Sequence, residues 1–205
     1  MELKQAIQEL RKTEKRKFDQ SIDLIINLKD IDVKKDNIST IATLPHKVRD
    51  KKVCAFLTKK SELVSTVTQL DFVKYKEKKD LKRLVKEYDF FIASAKLMPS
   101  VATTFGKVLG PTGKMPSPQL GVLMQEDDVT IKQLLSRIET SVKIRVKEPS
   151  VKISVGKESM KDEEIIANIQ AMYNSLIAAL PIKKDNVRSV LVKLTMGKPV
   201  KVEMK

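Results

Sequence analysis

The stretch LMPSVATTFGKVLGPTGKMPSP, residues 97–118, guides the interpretation of the whole chain because its composition differs from that of its surroundings. It contains three of the six glycines and four of the eight prolines, in a protein otherwise rich in charged residues. Each proline removes a backbone hydrogen-bond donor and fixes φ, so the stretch does not fit one regular helix. We predict a short helical piece over Val101–Lys107, set in long turns of specified backbone conformation.

Glycines and lysines close together in a loop favour contact with phosphate groups. The candidate residues are Lys107, Gly110, Pro111, Gly113 and Lys114. A P-loop needs a glycine five residues before its Gly-Lys pair and a hydroxyl after it, but Val108 and Met115 stand there. An enzyme that binds phosphate or a nucleotide through Gly110–Lys114 is therefore disfavoured. A rigid loop without a ligand and a surface that contacts RNA phosphates both stay open.

The composition indicates a polyanionic partner. The chain has 205 residues, a formal net charge of +14 and a pI near 9.7, which favours nucleic acid first and an anionic membrane second. No apolar span or signal peptide is evident, so we expect a cytoplasmic protein that does not bind a membrane. Cys54 and His46 are the only cysteine and histidine, which excludes an internal disulfide and argues against a metal site; no cofactor is predicted.

The middle of the chain has the pattern of an α/β domain. Lys52–Thr58 and Tyr88–Ala93 are nearly continuous apolar runs, as expected for strands buried on both faces. Helical spacing or composition is found over Ser61–Leu70, Asp80–Glu87 and Thr130–Ile138. Strands that alternate with helices predict a mainly parallel sheet.

The two ends of the chain have antiparallel signals instead. Alternation at Ile22–Leu28 and Val187–Met196 predicts half-buried strands, and residues 142–146 and 151–155 predict a hairpin that turns at Glu148-Pro149-Ser150. A long apolar stripe over Ile165–Leu180 predicts a helix that stops at Pro181. Neither end has enough strands for a core of its own, so we predict that they fold together.

These patterns predict two domains. A discontinuous α+β domain, split β-α-β-like, is built from residues 1–47 and 148–205. A three-layer α/β domain, residues 48–147, is inserted between its two parts.

The C-terminal strand has a polar face that suits RNA. Ser189, Lys193 and Thr195 share one parity, and hydroxyl and lysine side chains can bind phosphates and 2′-hydroxyls. An ordinary solvent-facing strand explains the same pattern equally well. Aromatic residues make up only 4% of the chain, which disfavours stacking on several unpaired bases and favours recognition of a folded RNA by shape.

Three motifs together resemble the L-one family of large-subunit ribosomal proteins, in its archaeal or eukaryotic form. They are Lys17-Phe18-Asp19-Gln20-Ser21, the combination of Leu97-Met98-Pro99 with Val108-Leu109-Gly110-Pro111-Thr112-Gly113-Lys114-Met115-Pro116, and Leu194-Thr195-Met196-Gly197. They occur in the family's order and spacing, and the resemblance covers essentially the whole chain.

The resemblance implies a non-enzymatic protein with the same two-domain layout. Its terminal domain would bind large-subunit rRNA and form the mobile stalk near the tRNA exit site, assisting release of deacylated tRNA. It would also repress translation by binding its own mRNA, and it would be a monomer when free.

Carried over residue by residue, the family's rRNA contacts correspond to Phe18, Ser21, Ser189, Thr195, Met196 and Gly197, and Lys152 takes the place of a family histidine. Lys193 joins them on the polar face of the last strand. Phe18 and Met196 share the apolar parity of their strands, so core packing remains the alternative interpretation for both.

Overall fold

The computed structural model describes residues 1–12, 16–32, 38–75 and 77–204. The chain divides into two compact units: a terminal unit, Met1–Arg49 with Thr140–Lys205, and a central unit, Asp50–Glu139. The predicted second boundary, between residues 147 and 148, lies eight residues further along the chain than the boundary between 139 and 140. The difference arises because residues 141–145 form a strand that pairs with the N-terminal segment.

Ten strands and five α-helices lie within the described residues. In chain order they are α1 (Leu3–Arg11), β1 (Ser21–Leu28), β2 (Ser39–Thr43), β3 (Val53–Phe56), β4 (Ser65–Val67), α2 (Lys78–Glu87), β5 (Phe90–Ser94), α3 (Met98–Thr112), β6 (Val122–Leu123), α4 (Asp128–Thr140), β7 (Ser141–Arg145), β8 (Ser150–Lys157), α5 (Asp162–Ala179), β9 (Val187–Leu194) and β10 (Val200–Val202). Short 3₁₀ helices occur at Gln69–Tyr75 and Lys183–Asn186.

The main sheet of the terminal unit has four antiparallel strands in the order β10-β9-β1-β8. The alternation in β1 is confirmed, since Ile22, Leu24, Ile26 and Leu28 are all buried. Together with apolar side chains of α1 and α5 they form the core of this unit. The other side, which we call the open face, contains no buried residue. Its members are Ser21, Asp23, Ile25, Asn27, Ser150, Lys152, Ser154, Lys157, Ser189, Leu191, Lys193 and Lys201.

The predicted hairpin around Pro149 is wrong. Strand β7 pairs with β2 in a separate two-stranded sheet, whereas β8 pairs with β1 along its whole length. Alternation shows which side of a strand is apolar, but it does not identify the partner strand. Strand β8 continues past Gly156 to Lys157 through an irregularity opposite Ile22 and Asp23.

Polar contacts fix the ends of α1 and α5. The Arg11 guanidinium donates to Asp162 Oδ1 at 2.6 Å and to the backbone oxygens of Glu158 and Met160 at 3.0 and 2.6 Å. Asn168, fully buried on α5, accepts from His46 N at 3.0 Å and donates to His46 O and Val155 O at 3.1 and 2.9 Å. The helices are thereby held to the sheet and to the segment after β2.

The central unit is an α/β structure, so the predicted fold class is confirmed. Its parallel sheet has the order β4-β3-β5-β6, and Cys54, Phe56 and Phe91 pack with side chains of α2 and α3. The expected helix over Ser61–Leu70 is wrong. The β-branched run around Thr66 forms β4, and the Asp71 carboxylate accepts from Thr68 Oγ1 at 2.7 Å to start the following 3₁₀ helix.

The glycine- and proline-rich stretch is more helical than predicted. Helix α3 runs over Met98–Thr112, well beyond Val101–Lys107. Pro99 lies in its first turn, where a missing donor costs nothing, and Pro111 lies in the last turn. Gly113 then adopts a left-handed φ of 73°, and Lys114 N donates to Leu109 O at 3.1 Å, as in a Schellman ending.

Candidate nucleic-acid interface

The start of β1 and the end of β9 lie side by side, because Ile22 pairs with Leu194. Thr195 N donates to Ser21 O at 3.0 Å, and the Thr195 hydroxyl donates to the same oxygen at 3.1 Å. Ser21 N in turn donates to Thr195 Oγ1 at 3.2 Å. The structure thus brings together Phe18, Ser21, Thr195, Met196 and Gly197, which we call the strand-end cluster.

The buried Gln20 side chain binds the backbone of this cluster, although its residue type alone did not predict such a role. It is only 2% exposed, and its Oε1 accepts from Met196 N at 3.3 Å. Its Nε2 lies 3.4 Å from Glu158 Oε2, and its backbone oxygen accepts from Glu158 N at 2.8 Å. Gln20 therefore joins the segment before β1 to the segments after β8 and β9.

Asp19 fixes the same segment from the other side. Its carboxylate accepts from Ser159 N at 3.0 Å and from Ser159 Oγ at 2.9 Å, with Lys157 Nζ at 3.9 Å. With Asp19, Gln20 and Ser21 all held by neighbouring segments, Phe18 is left projecting outward.

Phe18 and Met196 are exposed, at 53% and 66% respectively. The core packing that their parity suggested is therefore wrong. The physical reason is that both residues lie outside the paired strands. Strand β1 begins at Ser21, after Phe18, and β9 ends at Leu194, before Met196. Beyond those residues the alternation of faces no longer applies.

Gly197 closes a tight turn after β9. Its N–H donates to Leu194 O at 2.9 Å, and an added Cβ would lie 3.2 Å from Leu194 Cβ. A larger residue at this position would press against Leu194, the last residue of the strand, which would have to shift by a few tenths of an ångström.

A groove of about 350 Å³ adjoins the cluster. Its lining residues are Glu9, Leu10, Arg16, Gln20, Met196, Gly197, Lys198 and Val200. Arg16 and Lys198 place positive charge in the same groove as the exposed Met196 side chain. Arg16 was not predicted as a site residue.

The remaining predicted contacts lie on the open face, away from the cluster. Lys193 is opposite Asp23, whereas Lys152 is opposite Ile25 and Ser189 is opposite Asn27. The Asn27 amide donates to Ser189 Oγ at 3.0 Å. Since a strand rises about 3.3 Å per residue, Lys152 and Ser189 lie roughly 13 and 20 Å along the sheet from Ser21. The predicted residues thus form an elongated surface rather than one pocket.

The glycine-rich segment of the central unit serves structure instead of holding a phosphate. Lys107, Gly110 and Pro111 lie within α3, and the backbone N–H groups of Gly113 and Lys114 bond to Gly110 O and Leu109 O. The Lys114 ammonium donates to Val85 O at 2.7 Å and to Tyr88 O at 2.6 Å, at the end of α2. The backbone N–H groups of Gly113 and Lys114 and the Lys114 ammonium, which a bound phosphate would need, are therefore already used.

At the carboxyl edge of the parallel sheet, where α/β proteins commonly bind ligands, an acidic side chain is hydrogen-bonded within the protein. Glu126, after β6, accepts from Thr58 N at 3.0 Å and also from the Thr58 hydroxyl. Burial alone would raise the pKa of Glu126, but hydrogen bonds from Thr58 and the Lys59 backbone hold this pKa below its usual value.

No helix in the described part of the chain is long and apolar enough to cross a membrane.

Comparison with known proteins points to one family. The Ribosomal protein L1p/L10e family matches residues 10–198. The chain is 36% identical to the large ribosomal subunit protein uL1 of Thermofilum pendens, over 98% of this chain and 92% of that protein. It is also 36% identical to the uL1 protein of Methanocaldococcus jannaschii, over 98% and 94% of the two chains. For the uL1 protein of Pyrococcus horikoshii the identity is 34%, over 92% and 89%.

Proposed function

The chain belongs to the ribosomal protein L1p/L10e family, and from that premise we propose that it binds large-subunit rRNA through the terminal unit. It is a large-subunit ribosomal protein and not an enzyme. The proposed contact surface is the strand-end cluster together with the open face. A net charge of +14 favours association with rRNA and makes the affinity depend on salt.

The outward projection of Phe18 and Met196 is the observation that carries this proposal. Both side chains are exposed next to Gln20 and Asp19, which neighbouring segments hold by hydrogen bonds. An exposed aromatic ring can stack on an unpaired base, and a thioether can pack against a base or ribose. The rigid backbone holds both side chains ready for contact before RNA arrives, which lowers the entropy cost of binding.

The open face supplies the second part of the surface. Its four lysines are Lys152, Lys157, Lys193 and Lys201, and its hydroxyl and amide groups include Asn27 and Ser189. Lysines bind phosphates, while hydroxyls and amides can bond to 2′-hydroxyls and base edges. We propose that phosphate contacts along this face orient the RNA and that the strand-end cluster supplies the more specific contacts.

The stalk near the tRNA exit site, assistance in releasing deacylated tRNA, and repression of its own mRNA belong to the same proposal. They are supported by the resemblance of the three sequence motifs to the family. One interface is enough for rRNA and mRNA if the message folds into a similar structure, so the two RNAs would then compete for the strand-end cluster.

The proposal is tested with the full chain and a large-subunit rRNA fragment in filter-binding titrations at fixed salt. Phe18→Ala is expected to weaken binding by about 1–3 kcal/mol, the usual cost of losing one stacked base. Ile182→Ala is the matched control, because Ile182 is also apolar and 54% exposed in the same unit but lies outside the proposed surface.

Equal affinities of wild type, Phe18→Ala and Met196→Ala would contradict the assignment of the cluster. Absence of wild-type binding to any large-subunit rRNA fragment would contradict rRNA binding itself. If one interface serves both RNAs, the protein's own mRNA should compete with the rRNA fragment. Phe18→Ala should then weaken binding to both RNAs.

A further inference from the structure

Asp23 is the one acid among the residues that form the open face. It lies on β1, a central strand, directly opposite Lys193 on β9 and Ser154 on β8. A carboxylate at this position repels the phosphates that the surrounding lysines would attract. If the face only needed positive charge, an acid in its middle would weaken binding, so Asp23 requires a separate explanation.

Among the described residues, the Asp23 carboxylate makes no hydrogen bond and no ion pair within 4.0 Å, and only the more distant charge of Lys193 acts on it. Burial by its neighbours raises its pKa, and the Lys193 charge only partly offsets this effect. A partly buried charge without a hydrogen bond costs stability. The contrast with Asn27, on the same strand and bonded to Ser189, shows that the sheet can satisfy a polar group at such a position.

Only certain groups on an RNA can satisfy this carboxylate. An ionised carboxylate is purely an acceptor, so phosphates and carbonyl oxygens are unsuitable. The donors that RNA presents are ribose 2′-hydroxyls and the N–H groups of bases, and a bond from either to a charged acceptor is stronger than a neutral one. Lys193 beside Asp23 would hold a neighbouring phosphate, so donor and phosphate could be recognised together.

We propose that Asp23 is a specificity-determining residue that accepts a hydrogen bond from an RNA donor, either a 2′-hydroxyl or a base N–H. The proposal rests on the rRNA-binding function proposed above. Under this proposal the lysines of the open face provide affinity for RNA, and Asp23 provides specificity among RNAs. An RNA that places a phosphate at Asp23 is repelled, whereas one that places a hydrogen-bond donor there is retained.

The first test compares full-chain wild type, Asp23→Ala and Asp23→Asn on an rRNA fragment and on an unrelated RNA duplex at equal salt. The ratio of the two affinities is expected to fall about tenfold in Asp23→Ala, from loss of one charge-assisted bond. Asp185→Asn is the control, because it removes the same charge from an exposed site of the terminal unit outside the open face. Its affinity ratio should not change.

The alternative is that Asp23 merely repels RNA. Both affinities would then increase equally in the two Asp23 variants and their ratio would stay constant, which would overturn the proposal. Failure of the wild type to bind the rRNA fragment would instead reject the underlying rRNA-binding function. Both variants are expected to fold and to be at least as stable as wild type in thermal unfolding, since the Asp23 carboxylate makes no hydrogen bond within the described structure.

The second test identifies the donor. Single 2′-deoxy substitutions, or inosine in place of guanosine, are introduced through the rRNA fragment and measured with wild type and Asp23→Ala. One substitution that weakens the wild-type complex but not the variant complex supports the proposal, and its kind distinguishes ribose from base. If every substitution weakens both complexes equally, no donor is coupled to Asp23 and the proposal is wrong.

Discussion

The Thr195 hydroxyl bridges both backbone polar groups of Ser21: it donates to Ser21 O at 3.1 Å and accepts from Ser21 N at 3.2 Å. One donor and one acceptor function of the hydroxyl are therefore used within the protein. This bond ties the last residues of β9 to the first residue of β1, two segments 174 positions apart in the chain. Thr195 thus holds the strand-end cluster together, and we propose that it affects RNA binding through Phe18 and Met196.

Thr195→Val tests this role, because it removes the hydroxyl and keeps the shape. We expect rRNA binding to weaken by about 1 kcal/mol, the net value of an exposed hydrogen bond, as the cluster loosens. Thr195→Ser keeps the hydroxyl and should restore most of the affinity. Filter-binding titrations decide the matter, and equal affinities of the Val and Ser variants would show that the bridge to Ser21 is not needed.

Gln20→Leu should destabilise the terminal unit. The substitution leaves Met196 N and the Glu158 carboxylate without a partner at a nearly buried position, which costs about 1–3 kcal/mol in the free energy of unfolding. Urea unfolding monitored by circular dichroism measures the change. Gln8→Leu on α1 is the matched control, because Gln8 is exposed. Equal stability of the two variants would show that the Gln20 amide does not hold the cluster.

Lys114→Met should destabilise the central unit without affecting rRNA binding. The ammonium donates to Val85 O and Tyr88 O, and loss of these charged donors should cost about 2 kcal/mol in unfolding free energy. Lys107→Met, which removes an exposed lysine from α3, should change stability little. Thermal unfolding and filter binding on the same samples separate the two effects. A loss of rRNA binding in Lys114→Met, at unchanged stability, would return this lysine to the RNA interface.

The fold was predictable where burial follows a regular period. Alternation at Ile22–Leu28 marked the core face of β1, and the apolar run around Phe91 marked a buried parallel strand. Prediction failed where tertiary contacts decide the outcome. Pro111 suggested a turn, yet the last turn of a helix tolerates it before a left-handed glycine.

Prediction of the site was limited for related reasons. The resemblance predicts Phe18 and Met196 as RNA contacts, but strand parity leaves core packing open for both, because parity does not show where the regular pairing stops. Gln20 had no distinguishing signal, because a buried glutamine is recognised only from the partners that two other segments bring to it. The position of Asp23 among lysines, without a hydrogen bond from any of them, is visible only once the strands of the sheet are in place.

Asp23→Asn should make the protein more stable at neutral pH. The folded state raises the pKa of this carboxyl above its ordinary value of 3.8, chiefly by burial, so the folded protein binds the proton more tightly than the unfolded chain does. Stability conferred by Asp23 therefore falls as pH rises through the window between the unfolded and folded pKa values, and the deficit persists at higher pH. An uncharged amide avoids that cost.

Urea unfolding should show the variant more stable than wild type at about pH 7, with the difference shrinking as pH falls to about 3. Asp185→Asn serves as the control for removing an exposed charge, and it should show no comparable gain. A variant less stable than wild type at neutral pH would mean that Asp23 has a stabilising partner, and the explanation of its presence through RNA would lose its physical basis. A gain in stability together with a loss of rRNA selectivity would instead show that the open face retains a destabilising acid because recognition requires it.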